Sequence, residues 1–372
     1  MAGLSLAWYI SQSPLKDRSI LILDKETKTR NDRTWCFWER GRGPFESILY
    51  RTWDTVEFYG TTYQGTLDMG DYRYKMLRGI DFYAFMQQEL QRHPALEFRQ
   101  ASVDRIRDTP QGGFVITEDE TYMADYVFDS TYALRLNEPE HHNLLQHFKG
   151  WVVRTERPCF DPARPRMMDF RIDQHGDCRF VYVLPFDEYS ALIEYTIFND
   201  RLLPDSEYDE SIRQYISRFL FTGAYEITET EFGVIPMSDV PAPENPSEHI
   251  VRIGTSGGYT KPSTGYTFQR TQRYLQELVR SLQETGRPVR TNDRLWSGFK
   301  RLQDSILLNV LENKRYGAAD FFTRLYVRNP PAQVFRFLDE DTTLTEDLRI
   351  MSTVPLLPFT VAALDVLRKR LF

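Results

Sequence analysis

Apolar and polar residues follow two different rhythms along this chain, and the changes of rhythm mark its elements. Ala2–Ser11 carries small and apolar residues as a helix does. Ser19–Asp24 (SILILD) is an apolar run ending in an acid, the pattern of a buried parallel strand. Thr55–Thr66 alternates like a strand pair. Tyr72–Leu90 places an arginine and a glycine before an amphipathic helix with Phe82, Phe85, Met86 and Leu90 on one face. Leu96–Arg107 and Gly113–Glu118 read as strands joined by a turn at Pro110–Gly113, and Asp125–Ser130 as another short buried strand. This succession is the α/β order of a two-lobed nucleotide binder.

The texture changes after Leu134. His141, His142 and His147 read as surface residues of one polar helix. Gly150–Thr155, Met167–Ile172, Arg179–Leu184 and Ala191–Phe198 are spaced strands of an antiparallel sheet, with turns at Gly176 and Pro185–Glu188. Glu207–Leu220 is helical, Glu226–Pro236 is a strand, and the proline-rich Val240–Glu248 returns the chain to a strand at Ile250–Ile253. A helix over Thr267–Gln283 follows, and helices dominate from Arg294 onward: Leu295–Glu312, Ala318–Val327, Pro331–Phe337 and Phe359–Leu371. The expected division is a discontinuous nucleotide-binding unit (1–134 with 249–290), a substrate unit (135–248) and a helical region (291–372).

Composition narrows the function. The charge balance of 46 basic against 53 acidic residues, with no basic tract, argues against nucleic acid as a partner. Three dispersed cysteines give neither a disulfide framework nor a zinc spacing, and the histidines show no metal spacing, so no metal is expected. An aromatic content of 14% suits a long apolar ligand as well as a core. Val354–Leu367 is apolar but broken by Pro355, Pro358 and Asp365 and followed by Arg368, Lys369 and Arg370. A core helix and a lipid-surface contact both fit it.

Chemistry gathers at four places. In Ile250–Arg270 (IVRIGTSGGYTKPSTGYTFQR), Gly254, Gly257, Gly258 and Gly265 permit close backbone approach to a ligand, and Ser263 and Thr264 stand where caps of the next helix belong. Such a helix start suits a phosphate or an electron-rich ring. Gly3 and Asp24 have the spacing of about 20 residues between the last glycine of a dinucleotide motif and its ribose-binding acid. Thr27–Glu39 crowds Trp35, Phe37 and Trp38 around Cys36 behind polar donors, while Arg78 is placed to reach a cofactor phosphate or to serve as a surface charge. Glu194 lies on a strand whose two faces are both largely apolar. Such a carboxyl is either buried, and then held neutral and ready to donate, or solvent-facing on a half-exposed strand.

The segments Asn31–Glu39 (NDRTWCFWE), Tyr72–Tyr83, Gln146–Trp151 (QHFKGW), Leu192–Phe198 (LIEYTIF), Glu231–Met237 (EFGVIPM) and Gly254–Phe268 (GTSGGYTKPSTGYTF) run in the order found in one family. On them the sequence resembles the bacterial lycopene β-cyclases. The resemblance implies a Rossmann-like FAD-binding domain of the flavoprotein hydroxylase type, an antiparallel β-sheet substrate domain and a helical C-terminal region. It further implies FAD active in the reduced form, NAD(P)H as electron donor, and lycopene as substrate. Gly3 and Asp24 would serve the adenosine end. Gly254, Gly257, Gly258, Ser263, Thr264 and Gly265 would lie by the pyrophosphate and isoalloxazine, with a flavin role for Thr255 as well. Glu194 matches the catalytic acid of the family's L-E-E-T motif; the second acid is Tyr195 here. Trp35, Trp38, Tyr259 and Tyr266 are candidate π-faces for a cationic intermediate. Because lycopene is insoluble, a peripheral protein on the cytoplasmic side of the membrane is expected, in contact with lipid.

The family begins with a strand and G-x-G, whereas Met1 falls inside that motif; the expectation is a missing first strand. The rival readings are an FAD-dependent monooxygenase or dehydrogenase of the same fold, which would consume NAD(P)H in step with product, the monooxygenase needing oxygen as well, and a non-catalytic carotenoid- or lipid-binding remnant.

Overall fold

A computed structural model describes residues 1–131, 138, 140–220, 223–290 and 294–371, with backbone only at 294–296, 370 and 371. Helix α1 (Ala2–Ser11) leads to strand β1 (Ile20–Asp24). Then come β2 (Thr34–Arg40), β3 (Arg51–Trp53), β4 (Thr55–Tyr59), β5 (Gln64–Asp68) and β6 (Tyr72–Arg78), followed by α2 (Gly79–Leu90) and β7 (Leu96–Gln100). β1 pairs in parallel with β7 alone. It was expected to be a buried strand; with no strand on its other edge among the described residues, it is half-buried along its whole length. β8 (Val103–Thr109), β9 (Gly112–Thr117) and β10 (Thr121–Ala124) form the expected meander, and β11 (Val127–Asp129) ends this part.

The centre of the molecule is a seven-stranded sheet. β12 (Asn143–Thr155), β13 (Arg166–Asp169), β14 (Cys178–Pro185), β15 (Ser190–Asn199) and, after helix α3 (Asp205–Phe219), β16 (Tyr225–Ser238) contribute to it. Its order is β16-β12-β15-β14-β13-β4-β5. β4 and β5, from the segment assigned by sequence to the nucleotide unit, therefore extend this sheet through a parallel β4–β13 pairing. Alternation sends Trp151, Val153, Ile193, Tyr195 and Ile197 to one face, where Tyr208, Ile212 and Tyr215 of α3 cover them. Leu144, Phe180, Tyr182, Leu192 and Phe198 go to the other face. Each fully buried side chain of this size contributes about 1.5–3 kcal/mol, so both faces are fixed and the sheet cannot slip by one residue.

β17 (Ile250–Arg252) pairs in parallel with β11, and α4 (Phe268–Thr285) packs with α1 over it through Leu6, Ile10, Val251, Ile253 and Leu275. The helices α5 (Arg294–Glu312), α6 (Ala318–Arg328), α7 (Pro331–Leu338), α8 (Leu344–Met351) and α9 (Leu356–Leu371) complete the chain. Leu308, Phe322, Phe335 and Ile350 from α5–α8 join the core on the second face of the large sheet. α8 was not expected from the sequence, although Thr343 and Glu346 form a reciprocal capping box at its start.

Two of the three histidines read as surface residues of a helix are a correction. His147 is buried on strand β12 and His142 is buried just before that strand, neither of them on a helix. β12 is flanked on both sides by β15 and β16, and its polar side chains find partners inside. His147 lies 2.8 Å from Asn199 Oδ1 and 2.6 Å from the Tyr208 hydroxyl, and His142 lies 2.9 Å from Asp239 Oδ2.

Candidate active site

The register of four strands places one row of residues across the large sheet. Tyr182 on β14 opposes Glu194 on β15, Glu194 opposes Gly150 on β12, and Gly150 opposes Glu231 on β16. All four point to the face away from α3. Both glutamates keep part of their surface open to internal space, yet both lie deep in the molecule. Their carboxyls lie close enough to perturb each other's ionisation. Thr196 Oγ1 donates to Glu194 Oε1 at 2.8 Å, and Thr34 Oγ1 donates to Glu231 Oε2 at 3.0 Å. Burial and then the charge of Glu231 push the Glu194 carboxyl well above the ordinary glutamate range. Burial raises Glu231 too, against the pull of Glu194 and of the Thr34 hydroxyl. The pair therefore holds a proton at a pH where isolated carboxylates have lost theirs.

Rings and one thiol close over Glu194. Cys36, Tyr74, Tyr182 and Tyr266 all lie within its electrostatic reach. Burial pushes each of these groups above its ordinary pKa, so all four stay neutral around the acid. Trp38 packs edge-on against Tyr266, ring centroids 4.4 Å apart. Two of the candidate π-faces, Trp38 and Tyr266, thus stand on the Glu194 side.

The other two do not. β2 alternates: Cys36 and Trp38 face the large sheet, while Trp35 and Phe37 face α2 and α4, where Trp35 packs on Phe82, Tyr83 and Phe268. Tyr259 is wholly buried between β17, α1 and α4, its hydroxyl donating to Glu244 Oε1 at 2.5 Å. The turn after Gly258 aims it down into that core, away from the acid.

A cavity of about 260 Å³ opens beside Glu231. Tyr50, Val152, Phe186 and Leu192 give it apolar wall, and Asn31, Thr34, Arg78, Arg154 and Glu229 polar wall. Arg78, expected at a cofactor phosphate or as a surface charge, stands on this wall. It closes β6, chelates Asp81 through Nε at 2.7 Å and Nη2 at 3.1 Å, and lies over the Tyr50 ring.

The glycine loop lies against the start of α1. A Cβ on Gly254 would stand 3.1 Å from Ala2 Cβ, and one on Gly257 would stand 2.3 Å from the Arg252 carbonyl oxygen. Gly254, Gly258 and Gly265 have φ of +62°, +74° and +73°. The start of α1 is within electrostatic range of Asp24, Lys28, Asp32 and Arg33. Asp24 itself accepts the Glu26 N–H at 3.0 Å and pairs with Lys28 at 3.1 Å. Gly3, Asp24 and Gly254 thus converge, and a helix start with free N–H groups facing a glycine loop fits a dinucleotide pyrophosphate. Thr255 Oγ1 contacts Thr260 Oγ1 at 3.1 Å within the loop. Ser263 and Thr264 do not cap α4, since Thr267 occupies the N-cap position. Ser263 Oγ instead donates to Asp304 Oδ1 at 2.6 Å. The Thr264 hydroxyl and the Gln146 amide oxygen are buried without protein partners, and a Cβ on Gly265 would come within 2.2 Å of that oxygen. Such orphaned polar atoms beside a strained loop fit a ligand that would satisfy them.

Sequence reasoning missed Glu231 and Gly150. Both sat in segments noted for other reasons, but only strand order puts them in one row with Glu194. Among the described residues no group of His, Cys, Asp and Glu is arranged to hold a metal, and no helix is long and apolar enough to cross a membrane.

Residues 1–364 match the model of the lycopene cyclase protein family. A lycopene beta-cyclase of Paracoccus sp. (strain N81106 / MBIC 01143) is 26% identical over 232 residues, 59% of this chain and 58% of that protein. The chloroplastic/chromoplastic lycopene beta cyclase of Capsicum annuum is 26% identical over 303 residues, 73% of this chain and 56% of that protein. The matches thus span less than two-thirds of either relative. Among solved structures, a flavoprotein/dehydrogenase from Cytophaga hutchinsonii superposes with TM-score 0.64 at 10% identity, covering 99% of this chain and 97% of that one. A variant of the halogenase PltM in complex with FAD gives 0.57 at 10% identity, covering 99% and 90%. At these identities the structural likeness establishes the fold: mixed α/β, of the flavoprotein hydroxylase and halogenase type, with a helical C-terminal region.

Proposed function

Since the chain belongs to the lycopene cyclase family, as the match over residues 1–364 shows, we propose that it closes the ψ end groups of lycopene into β rings, a non-redox isomerisation that gives γ-carotene and β-carotene. The observation that carries this reading is Glu194, a deep-lying carboxyl in one sheet row with Tyr182 and Glu231, its proton held by burial well above the ordinary glutamate range. Its proton goes to C2 of the terminal double bond, leaving a cation at C1. The C5–C6 double bond attacks C1 and closes the ring, and loss of the C6 proton restores neutrality. Neutral Tyr74, Tyr182 and Tyr266 and the Trp38 ring offer π-faces to that charge while excluding water. Burial keeps Cys36 a thiol rather than the more nucleophilic thiolate beside that charge.

FAD is the assigned cofactor, with Gly3, Asp24, Gly254, Thr255, Gly257, Gly258, Thr264 and Gly265 as the residues that would hold it. Reduced FAD, when bound, supplies negative charge and an electron-rich face to the cationic stage, and NAD(P)H is the proposed reductant. Peripheral attachment to the cytoplasmic face of a membrane is proposed for α9. Leu356, Leu357 and Leu364 are exposed by 76%, 76% and 62% beside the exposed Arg368 and Lys369. An apolar face next to basic residues suits a lipid interface, which is also where lycopene is found.

The test is lycopene supplied in liposomes to the FAD-loaded, reduced protein. A product of unchanged mass with β end groups, formed without stoichiometric NAD(P)H consumption, is the expected result. Oxygen- or NAD(P)H-coupled turnover would instead make the chain a redox enzyme of the same fold.

A further inference from the structure

The large sheet brings together two carboxyls whose strands are not neighbours. β15 and β16 lie on opposite sides of β12, so the Glu194 and Glu231 backbones are separated by two interstrand spacings, about 9–10 Å. The residue between them in the row is Gly150. With no side chain at that position, Glu231 lies across the β12 backbone, within reach of the charge of Glu194. A Cβ on Gly150 would stand 3.0 Å from Glu231 Cγ, 3.1 Å from Glu231 Oε1 and 2.9 Å from Leu192 Cδ1. The gap is therefore filled by the Glu231 side chain itself. Glu231, held at Oε2 by Thr34, lines the 260 Å³ cavity next to Leu192 and Val152.

Resting on the cyclisation reading above, we propose that Glu231 is the catalytic base of the reaction, and that Gly150 is the positioning residue that lets it share one proton with Glu194. Protonation at C2 breaks the Glu194 O–H bond and forms a C–H bond. The C5–C6 π pair forms the C1–C6 bond, which moves the cation to C5. Glu231 then takes the proton from C6, and that C–H pair becomes the C5–C6 double bond. C2 and C6 are both bonded to C1, so the proton enters and leaves two bonds apart, within reach of adjacent carboxyl oxygens. One proton is given and one received. Passage of the proton from Glu231 back to Glu194 then resets the pair, in keeping with a reaction of no net proton change.

The experiment compares wild type with Glu231→Gln, Glu231→Asp and Gly150→Ala, each loaded with FAD, reduced and given lycopene in liposomes. Glu231→Gln is expected to slow cyclisation by at least about 100-fold with flavin content unchanged, as loss of a general base does. Its rate should lose the fall at low pH that marks protonation of the base. Its fall at high pH should move to lower pH, because Glu194 no longer faces a second negative charge. Glu231→Asp should recover part of the rate, and Gly150→Ala should lower it by about tenfold by parting the carboxyls. A merely structural Glu231 would leave both limbs of the pH profile in place. That result, or a Glu231→Gln rate within about threefold of an active wild type, overturns the proposal.

An infrared arm reads the pair without turnover. Wild type should keep a protonated-carboxyl stretch at neutral pH that shifts in Glu231→Gln and in Gly150→Ala. If wild type forms no cyclised product, the cyclisation reading has failed and the base assignment with it, while the stretch still decides whether the two carboxyls share a proton. Its absence overturns that part as well.

Discussion

Replacing Glu194 by Gln removes a transferable proton and changes little else. Burial holds the parent carboxyl well above the ordinary glutamate range, and Gln keeps a carbonyl oxygen for the Thr196 hydroxyl that now donates at 2.8 Å. A positioned general acid contributes about 10²–10⁴-fold, or about 2.7–5.5 kcal/mol of barrier, so cyclisation should fall by that factor. Pigment chromatography per mole of bound flavin measures it. Thermal unfolding gives an independent reading. The native parent retains a proton that the unfolded chain releases above about pH 4.3. The stability conferred by the neutral form is complete below that pH and is lost as pH rises toward the raised native value. The loss is about 1.4 kcal/mol per pH unit per proton, an upper bound for a side chain partly open to internal space. The variant carries no such penalty and should gain in Tm over the parent as pH rises from 5 towards 8. Turnover within about tenfold of the parent at equal flavin content would refute Glu194 as the acid. A Tm difference that does not change with pH would refute its burial as a neutral group.

Other outcomes follow from the same structure. Gly265→Ala puts a Cβ at φ +73° and within 2.2 Å of the Gln146 amide oxygen. It should cost at least about 1–2 kcal/mol and lower the flavin bound per chain, read by denaturant titration and by visible absorbance. Lys75 is 1% exposed and bound to Glu39 and Glu46 at 2.9 and 2.6 Å. Lys75→Ala strands both carboxylates, and about 3 kcal/mol should be lost, the low end for a buried pair because both acids reach solvent; a loss under about 1 kcal/mol would contradict this. Changing Leu356, Leu357 and Leu364 together to Ser should abolish flotation with anionic liposomes at unchanged Tm, and undiminished flotation would remove α9 from the membrane contact.

Local patterns carried much of the architecture in the sequence and pairings carried the rest. The strand at Ala191–Phe198, the meander after Leu96 and the glycine loop at Gly254 are legible because periodicity and turn chemistry are local signals. His147 was misread because a polar residue on a doubly flanked strand looks like a surface residue until its partners, Asn199 and Tyr208, are in place. Glu194 stood out because its own strand is apolar on both faces. Glu231 did not, since its strand carries Glu226 and Glu229 as well, and nothing in their spacing says which acid turns inward. The direction of Arg78 was not legible for the related reason that a strand's last residue takes its direction from the sheet it faces, here toward Tyr50 and Glu229.

β2 is a partition between two chambers. Cys36 and Trp38 belong to the one that holds the acid pair, Trp35 and Phe37 to the one built on α2 and α4. Adding or deleting a single residue between Trp35 and Trp38 would exchange the occupants of both rooms at once. This strand is therefore closed to changes of length, however freely the turns around it vary, and a library that keeps its spacing while varying its side chains samples each chamber on its own.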